Sequence, residues 1–133
     1  MGKRLGAELL GASLYELEPR QKTFPYHWHY AQEEWLIVVT GTPTLRDPRC
    51  ERRLAPGDCI VFRRGPGGAH LVRNDTDEPC RVLVLSSPSD VEIAVYPDSR
   101  KVGAFGKAFG EGGEPFRLLV RAESGVDYFE GEE

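Results

Sequence analysis

The chain has 133 residues, 40% hydrophobic and 29% charged, with a net charge of −4 at pH 7. That is the make-up of one globular domain, long enough to bury a core without disulfide or metal staples. Acidic residues outnumber basic ones, 21 to 17, without a basic face in the pattern, which disfavours nucleic acid as a partner. No apolar run approaches the roughly 18 residues that span a membrane, so no membrane partner is expected.

The N-terminal stretch MGKRLGAELLG starts basic but meets Glu8 and lacks a continuous apolar segment, so no signal peptide is expected. LGAELLG has the pattern of one helical turn, which Gly6 and Gly11 limit to little more. From there the chain reads as short strands separated by turn chemistry. GASLYELEP forms a strand that stops at Pro19. WLIVVT is rich in β-branched residues and stops at Gly41. TPTLRD is closed by Asp47 and Pro48, and DCIVFR follows the turn Pro56-Gly57-Asp58. HLVRN leads to a turn at Asn74-Asp75. CRVLVLS, VEIAVY and FRLLVR (116–121) complete the set.

Two glycine-rich segments, RRGPGGA before His70 and GAFGKAFGEGGEP at 103–115, read as irregular, the second as a loop or tail crossing. Short, regularly spaced strands with almost no helical pattern predict an all-β sandwich or barrel. The expected organisation is a single domain over 1–133, with a barrel core at about 8–96 and a tail at 97–133 carrying an extra strand near 116–121. Cys50, Cys59 and Cys80 are odd in number and widely spaced, which fits reduced thiols in a cytoplasmic protein. Cys59, in an apolar strand, reads as a small core residue.

All three histidines fall in two segments. His27 and His29 lie in PYHWHYAQEEWLIVVTG, and His70 lies in PGDCIVFRRGPGGAHLVRN. Residues two apart on a strand share a face, so His27 and His29 can hold one ion together. Glu34 lies an odd five residues beyond His29 and joins them only if the intervening stretch turns or bulges. Beyond it, Leu36, Val38 and Thr40 share the face of Glu34, so an inward Glu34 sits at the mouth of an apolar interior while Glu33 points away. Trp28, opposite in parity to the histidines, reads as packing. Imidazoles with a carboxylate are ligands for zinc, iron, manganese or nickel.

These two segments resemble the paired motifs of the cupin superfamily. The first is an HxH, a three- or four-residue spacer, Glu, six residues and Gly. His27, His29, Glu34 and Gly41 fit it. In the second, Gly57, Gly67, His70 and Asn74 fit, whereas Gly65 stands where proline is usual and Pro66 follows one residue on. Gln21 stands where a glycine often precedes the first motif. The resemblance covers about 15–90 and implies a jelly-roll β-barrel holding one divalent metal ion on His27, His29, Glu34 and His70.

The tail is similar to that of small single-domain bacterial cupins, some of them loosely called sugar-phosphate isomerases, and such proteins commonly form homodimers. The resemblance implies either a metal-dependent enzyme, isomerase- or dioxygenase-like, acting on a sugar derivative or a hydroxy or keto acid, or a non-catalytic binding or sensing cupin. A third reading is a homodimer whose metal only pins the barrel. Arg63, Arg64, Tyr96 and Lys101 are candidate substrate-binding residues, the arginines through bidentate contact with phosphate or carboxylate. No residue can be singled out as general base, and no serine-hydrolase or phosphate-loop motif is present. Because imidazole must be neutral to bind, metal loss is expected between about pH 6 and 5.

Overall fold

The computed structural model describes residues 2–108, 110 and 112–132, without the side chains of residues 2 and 3. Eleven strands, with short 3-10 turns between some of them, build three sheets. The strands are β1 (Gly11–Leu17), β2 (Trp28–His29), β3 (Glu34–Thr40), β4 (Thr44–Arg46), β5 (Glu51–Arg53), β6 (Cys59–Phe62), β7 (Leu71–Arg73), β8 (Cys80–Ser86), β9 (Val91–Tyr96), β10 (Lys101–Gly106) and β11 (Phe116–Arg121). The first sheet runs β1-β8-β3-β6, the second β11-β10-β9-β2, and the third β5-β4-β7. Every pairing between them is antiparallel. The all-β expectation is met.

Alternation places the core. On β3, Leu36 and Val38 are each 1% exposed, while Trp35 and Val39 face out. They join Leu17, Leu45, Leu54, Phe62, Val72, Cys80 and Val82 in one apolar cluster. A smaller cluster of Tyr26, Trp28, Ala69 and Leu71 packs beneath the histidine segments, so Trp28 does pack rather than line a site. Gly41 ends β3 at φ +77°, and a Cβ there would lie 2.4 Å from Cys80 Cβ, so this turn excludes any side chain.

Several local expectations change. The helical turn covers Gly2–Leu5 rather than the LGAELLG stretch, consistent with Gly6 at φ +73° ending it. Thr40 does not share the inner face of β3, because the register slips between Val38 and Thr40 and leaves Thr40 exposed. Cys59 is exposed, and Cys80 is the core thiol: Phe62 points inward on β6, so Cys59, three residues away, points out. All three cysteines are free. The glycine-rich 103–115 segment is not irregular throughout, since its first four residues belong to β10 and pair on both sides. Positions 109 and 111 of that segment lie outside the described residues.

Asn74, 0% exposed, ties the base of the fold together. Its Nδ2 donates to the carbonyls of Leu17 (2.9 Å) and Glu78 (2.8 Å), and its Oδ1 accepts from Thr76 N (3.0 Å) and Thr76 Oγ1 (2.6 Å). No hydrogen-bonding capacity is wasted, so removing the amide orphans several buried groups together. Asn74→Ala should cost about 2–4 kcal/mol in urea unfolding. A loss under about 0.5 kcal/mol would show that the network carries no net stability.

Candidate metal centre

The odd spacing between His29 and Glu34 resolves as a change of sheet. His27 and His29 lie on or beside β2 in the second sheet, and bends at 30 and 31 carry the chain across to β3, where Glu34 opens a strand of the first. His70 precedes β7 and forms an isolated antiparallel bridge with His27. Their main chains exchange hydrogen bonds of 3.1 Å (His27 N to His70 O) and 2.9 Å (His70 N to His27 O). Two segments remote in sequence, 27–34 and the stretch around His70, therefore meet at one point.

The donor atoms of His27, His29 and Glu34 lie within 4.8 Å of one another. His70 stands outside that trio but reaches it through Glu34. Glu34 Oε2 is 3.3 Å from His29 Nε2 and 3.3 Å from His70 Nε2. Ligands about 2.1 Å from a shared ion stand roughly 3.0 Å apart at octahedral right angles and roughly 3.4 Å apart in a tetrahedron, so these separations suit a common ion. The ring orientations agree. His27 Nδ1 faces the Pro25 carbonyl at 2.8 Å and His70 Nδ1 faces that of Gly68 at 2.9 Å. Each Nδ1 must donate, which leaves each Nε2 with a free lone pair. Phe62 stacks on His70 at 3.7 Å between centroids, and Tyr96 on His27 at 5.8 Å.

Among the described residues, the buried side-chain atoms without a hydrogen-bond partner are His29 Nδ1, His29 Nε2 and Glu92 Oε2. Buried polar groups are seldom left unpaired, and a cluster of them asks for a missing partner. The 3.3 Å approach of Glu34 to His29 is close enough for attraction but misaligned for a hydrogen bond. A divalent cation bound to His29 Nε2 and Glu34 would satisfy both, so the donor set fits the metal that the sequence led us to expect.

Burial and electrostatics prepare these groups for an ion. Burial, reinforced by His70 and His29, lowers the pKa of His27 to about 4, keeping it neutral. Burial pushes the Glu34 carboxyl up, but His29 and His70 outweigh it and hold it well below the ordinary carboxylate range. At neutral pH His27 is thus a neutral imidazole and Glu34 a carboxylate.

Glu92 is the residue that sequence reading missed. It is 5% exposed on β9, with Oε1 accepting from the main-chain N–H of Tyr30 (3.0 Å) and Ala31 (3.2 Å). Its Oε2 lies 3.8 Å from His29 Nδ1. A carboxylate behind a metal-binding imidazole fixes its tautomer and raises its basicity. The only sequence signal was parity: Glu92, Ala94 and Tyr96 alternate toward one face of VEIAVY.

A cavity of about 240 Å³ opens above the centre, lined by His27, His29 and Glu34 together with Tyr15, Phe24, Gln32, Glu92, Ala94, Tyr96 and Phe105, while His70 lies behind it. Of the candidate substrate-binding residues, Tyr96 lines it. Lys101 stands beside it, with Nζ 5.7 Å from the Tyr96 ring centroid. Arg63 and Arg64 are exposed on the loop before Pro66 and do not line the cavity. Asp98, near Tyr96 in sequence, turns away to bind Arg46 at 2.6 and 3.0 Å.

Comparison with known proteins agrees with this geometry. The family described as "Cupin domain" matches residues 13–86. A solved structure from Silicibacter pomeroyi, a sugar phosphate isomerase from a cupin superfamily, is 29% identical over 92% of this chain and 74% of its own, with a TM-score of 0.82. An Acidithiobacillus ferrooxidans protein, provisionally a sugar phosphate isomerase, is 28% identical over 95% of this chain and 76% of its own, at 0.80. The DMSP lyase DddQ from Ruegeria pomeroyi matches at 25% over 62% of this chain and 40% of its own, at 0.52. Among curated proteins, none matches.

Two predictions follow from the electrostatics. Glu92→Gln should weaken metal affinity about 10–100-fold by calorimetry, with the fold intact; unchanged affinity would reduce Glu92 to packing. The second concerns the metal-free protein. The folded-state pKa of His27, about 4, lies below its ordinary value of 6.5, so the unfolded chain takes up the proton first. The stability His27 contributes is complete above about pH 6.5 and is lost as pH falls toward about 4, and protonation of Glu34 deepens the loss at lower pH. Thermal midpoints flat from pH 7 to 4 would contradict this arrangement.

Proposed function

The chain belongs to the cupin family, and from that premise we propose that it is a metal-dependent enzyme acting on a small polar metabolite, a sugar derivative or a hydroxy or keto acid, by isomerase- or oxygenase-like chemistry. The observation that carries the reading is the convergence of two imidazoles and one carboxylate on the lining of a cavity with room for a small ligand, with a third imidazole, His70, 3.3 Å from that carboxylate. Two relatives that align over nearly the whole chain are described as sugar phosphate isomerases, which supports an oxygen-rich substrate. Family membership alone does not choose the reaction, as the lyase among the relatives illustrates.

His27, His29, Glu34 and His70 would hold the ion. Once bound, it supplies Lewis acidity that polarises a substrate carbonyl or hydroxyl. The remaining work falls to the chain. Phe24, Ala94 and Phe105 give the cavity apolar walls that exclude water. Burial raises the pKa of Tyr96, so its hydroxyl stays protonated and can donate to a substrate oxygen. Gln32 adds an amide with both donor and acceptor capacity.

The alternative is a binding or sensing cupin that uses the same cavity without turnover. A specific observation favours it: the one carboxylate lining the cavity outside the ligand set, Glu92, holds two main-chain N–H groups on Oε1 and turns Oε2 toward His29 Nδ1, a placement suited to positioning His29 rather than to taking a substrate proton.

The homodimer belongs to the proposal as well. Leu14, Trp35 and Val61, each more than 40% exposed, make the outer face of the first sheet apolar, a surface that monomers rarely leave to water. No helix of the described residues is long and apolar enough to cross a membrane.

Native mass spectrometry on untagged protein reads metal and assembly together. We expect a dimer mass with one ion per chain, and loss of the ion in the His27→Ala/His70→Ala variant. Sugar phosphates and hydroxy acids should then be converted by the loaded protein and left unchanged after chelation. Saturable binding without conversion would select the non-catalytic reading. Failure to take up manganese, iron, nickel or zinc would remove the metal from both.

A further inference from the structure

The second sheet continues past the cavity, and its register shows what shares the metal-bearing face. Directly paired residues of antiparallel strands point to the same side. One row runs His29, Ala94, Gly103, Leu119 across β2, β9, β10 and β11. The flanking rows are Glu92, Phe105, Arg117 and Tyr96, Lys101, Arg121. Glu92, Ala94, Tyr96 and Phe105 line the cavity, so Lys101 and Arg117 stand on its side of the sheet, one strand farther out in each row. Adjacent strands are about 4.8 Å apart, a step that a long basic side chain easily covers.

The side chains bear this out. Lys101 Nζ is 5.7 Å from the centroid of Tyr96, and Arg117 Cζ is 5.9 Å from that of Phe105. Gly103 makes this possible: a Cβ there would lie 2.7 Å from the Phe105 ring, so only glycine lets that ring lie over the sheet. The arginines at 20, 46, 52, 73, 81 and 100 and Lys107 all have carboxylate partners. Among the described residues no such partner lies within 4.0 Å of Lys101, Arg117 or Arg121, and of these Lys101 and Arg117 stand against residues of the cavity lining. Inside, the cavity lining contains Glu34 and Glu92 and no lysine or arginine.

We propose that Lys101 and Arg117 form an anion-recognising rim, and that the ligand is a hydroxylated or keto compound carrying a terminal phosphate or carboxylate. Its uncharged oxygens enter toward the four-ligand centre, and its anionic group stays at the rim, where the two unpaired cations meet it. Arg117 suits a planar or tetrahedral oxyanion through its paired N–H donors. This rests on the proposed function and narrows its substrate class.

The test is calorimetric binding to the full chain, as purified and after manganese loading, of three probes: a pentose 5-phosphate, the corresponding pentonic acid and the free pentose. One anionic probe should bind about tenfold or more tightly than the pentose, and its identity separates phosphate from carboxylate recognition. Lys101→Gln/Arg117→Gln should erase that preference while metal content and thermal midpoint stay at the parent's values. Equal binding of the three probes, no binding of any, or a preference that survives in the double variant overturns the rim. A preference that is lost in the double variant while the parent holds no metal would sustain the rim and refute the metal reading alone.

Discussion

The reciprocal main-chain hydrogen bonds between His27 and His70, 3.1 and 2.9 Å, hold the site together. They join a segment ahead of β2 to one ahead of β7 without a long ladder on either side, so the register of that single bridge sets where two imidazoles stand. Each ring is then turned by a local carbonyl, Pro25 for His27 and Gly68 for His70, which directs Nε2 toward Glu34. A one-residue slip would invert both side chains relative to the cavity. Asn74, four residues beyond His70, anchors the other end of this segment, which is why its amide is fully engaged.

Around this bridge the structure concentrates polar groups that a stable interior would avoid. Three imidazoles and two carboxylates are gathered under aromatic cover, with His29 and Glu92 left partly unsatisfied. Such an arrangement costs stability unless something binds there. Burial keeps His27 neutral, and His29 and His70 hold Glu34 ionised against that same burial, the protonation states a cation needs.

The candidate ligands were legible because they depend on residue type and short spacing. HxH on an extended segment shares a face whatever the fold, and the apolar parity of Leu36 and Val38 placed Glu34 inward ahead of Glu33. Strands rich in β-branched residues were equally plain. Short or atypical ones were not. β2 has two residues, β5 is Glu51-Arg52-Arg53 with every side chain exposed, and β10 contains two glycines; local propensity favours none of them, and their pairing partners alone make them strands. Cys59 misled because a uniformly apolar strand conceals which of its faces is buried.

What the sequence determined by itself was the all-β character and the pairing of His27 with His29, which rest on periodicities and spacings within about 20 residues; the resemblance of two motifs supplied the family and the full candidate ligand set. What only the tertiary structure decided was the setting of those ligands: Glu34 faces His29 from the opposite sheet, Glu92 stands behind His29 from 63 positions along the chain, and Lys101 and Arg117 share the cavity's side of the sheet. The physical reason is that cross-strand register is fixed by the packing of whole sheets, and no local pattern records which distant residue a strand will meet.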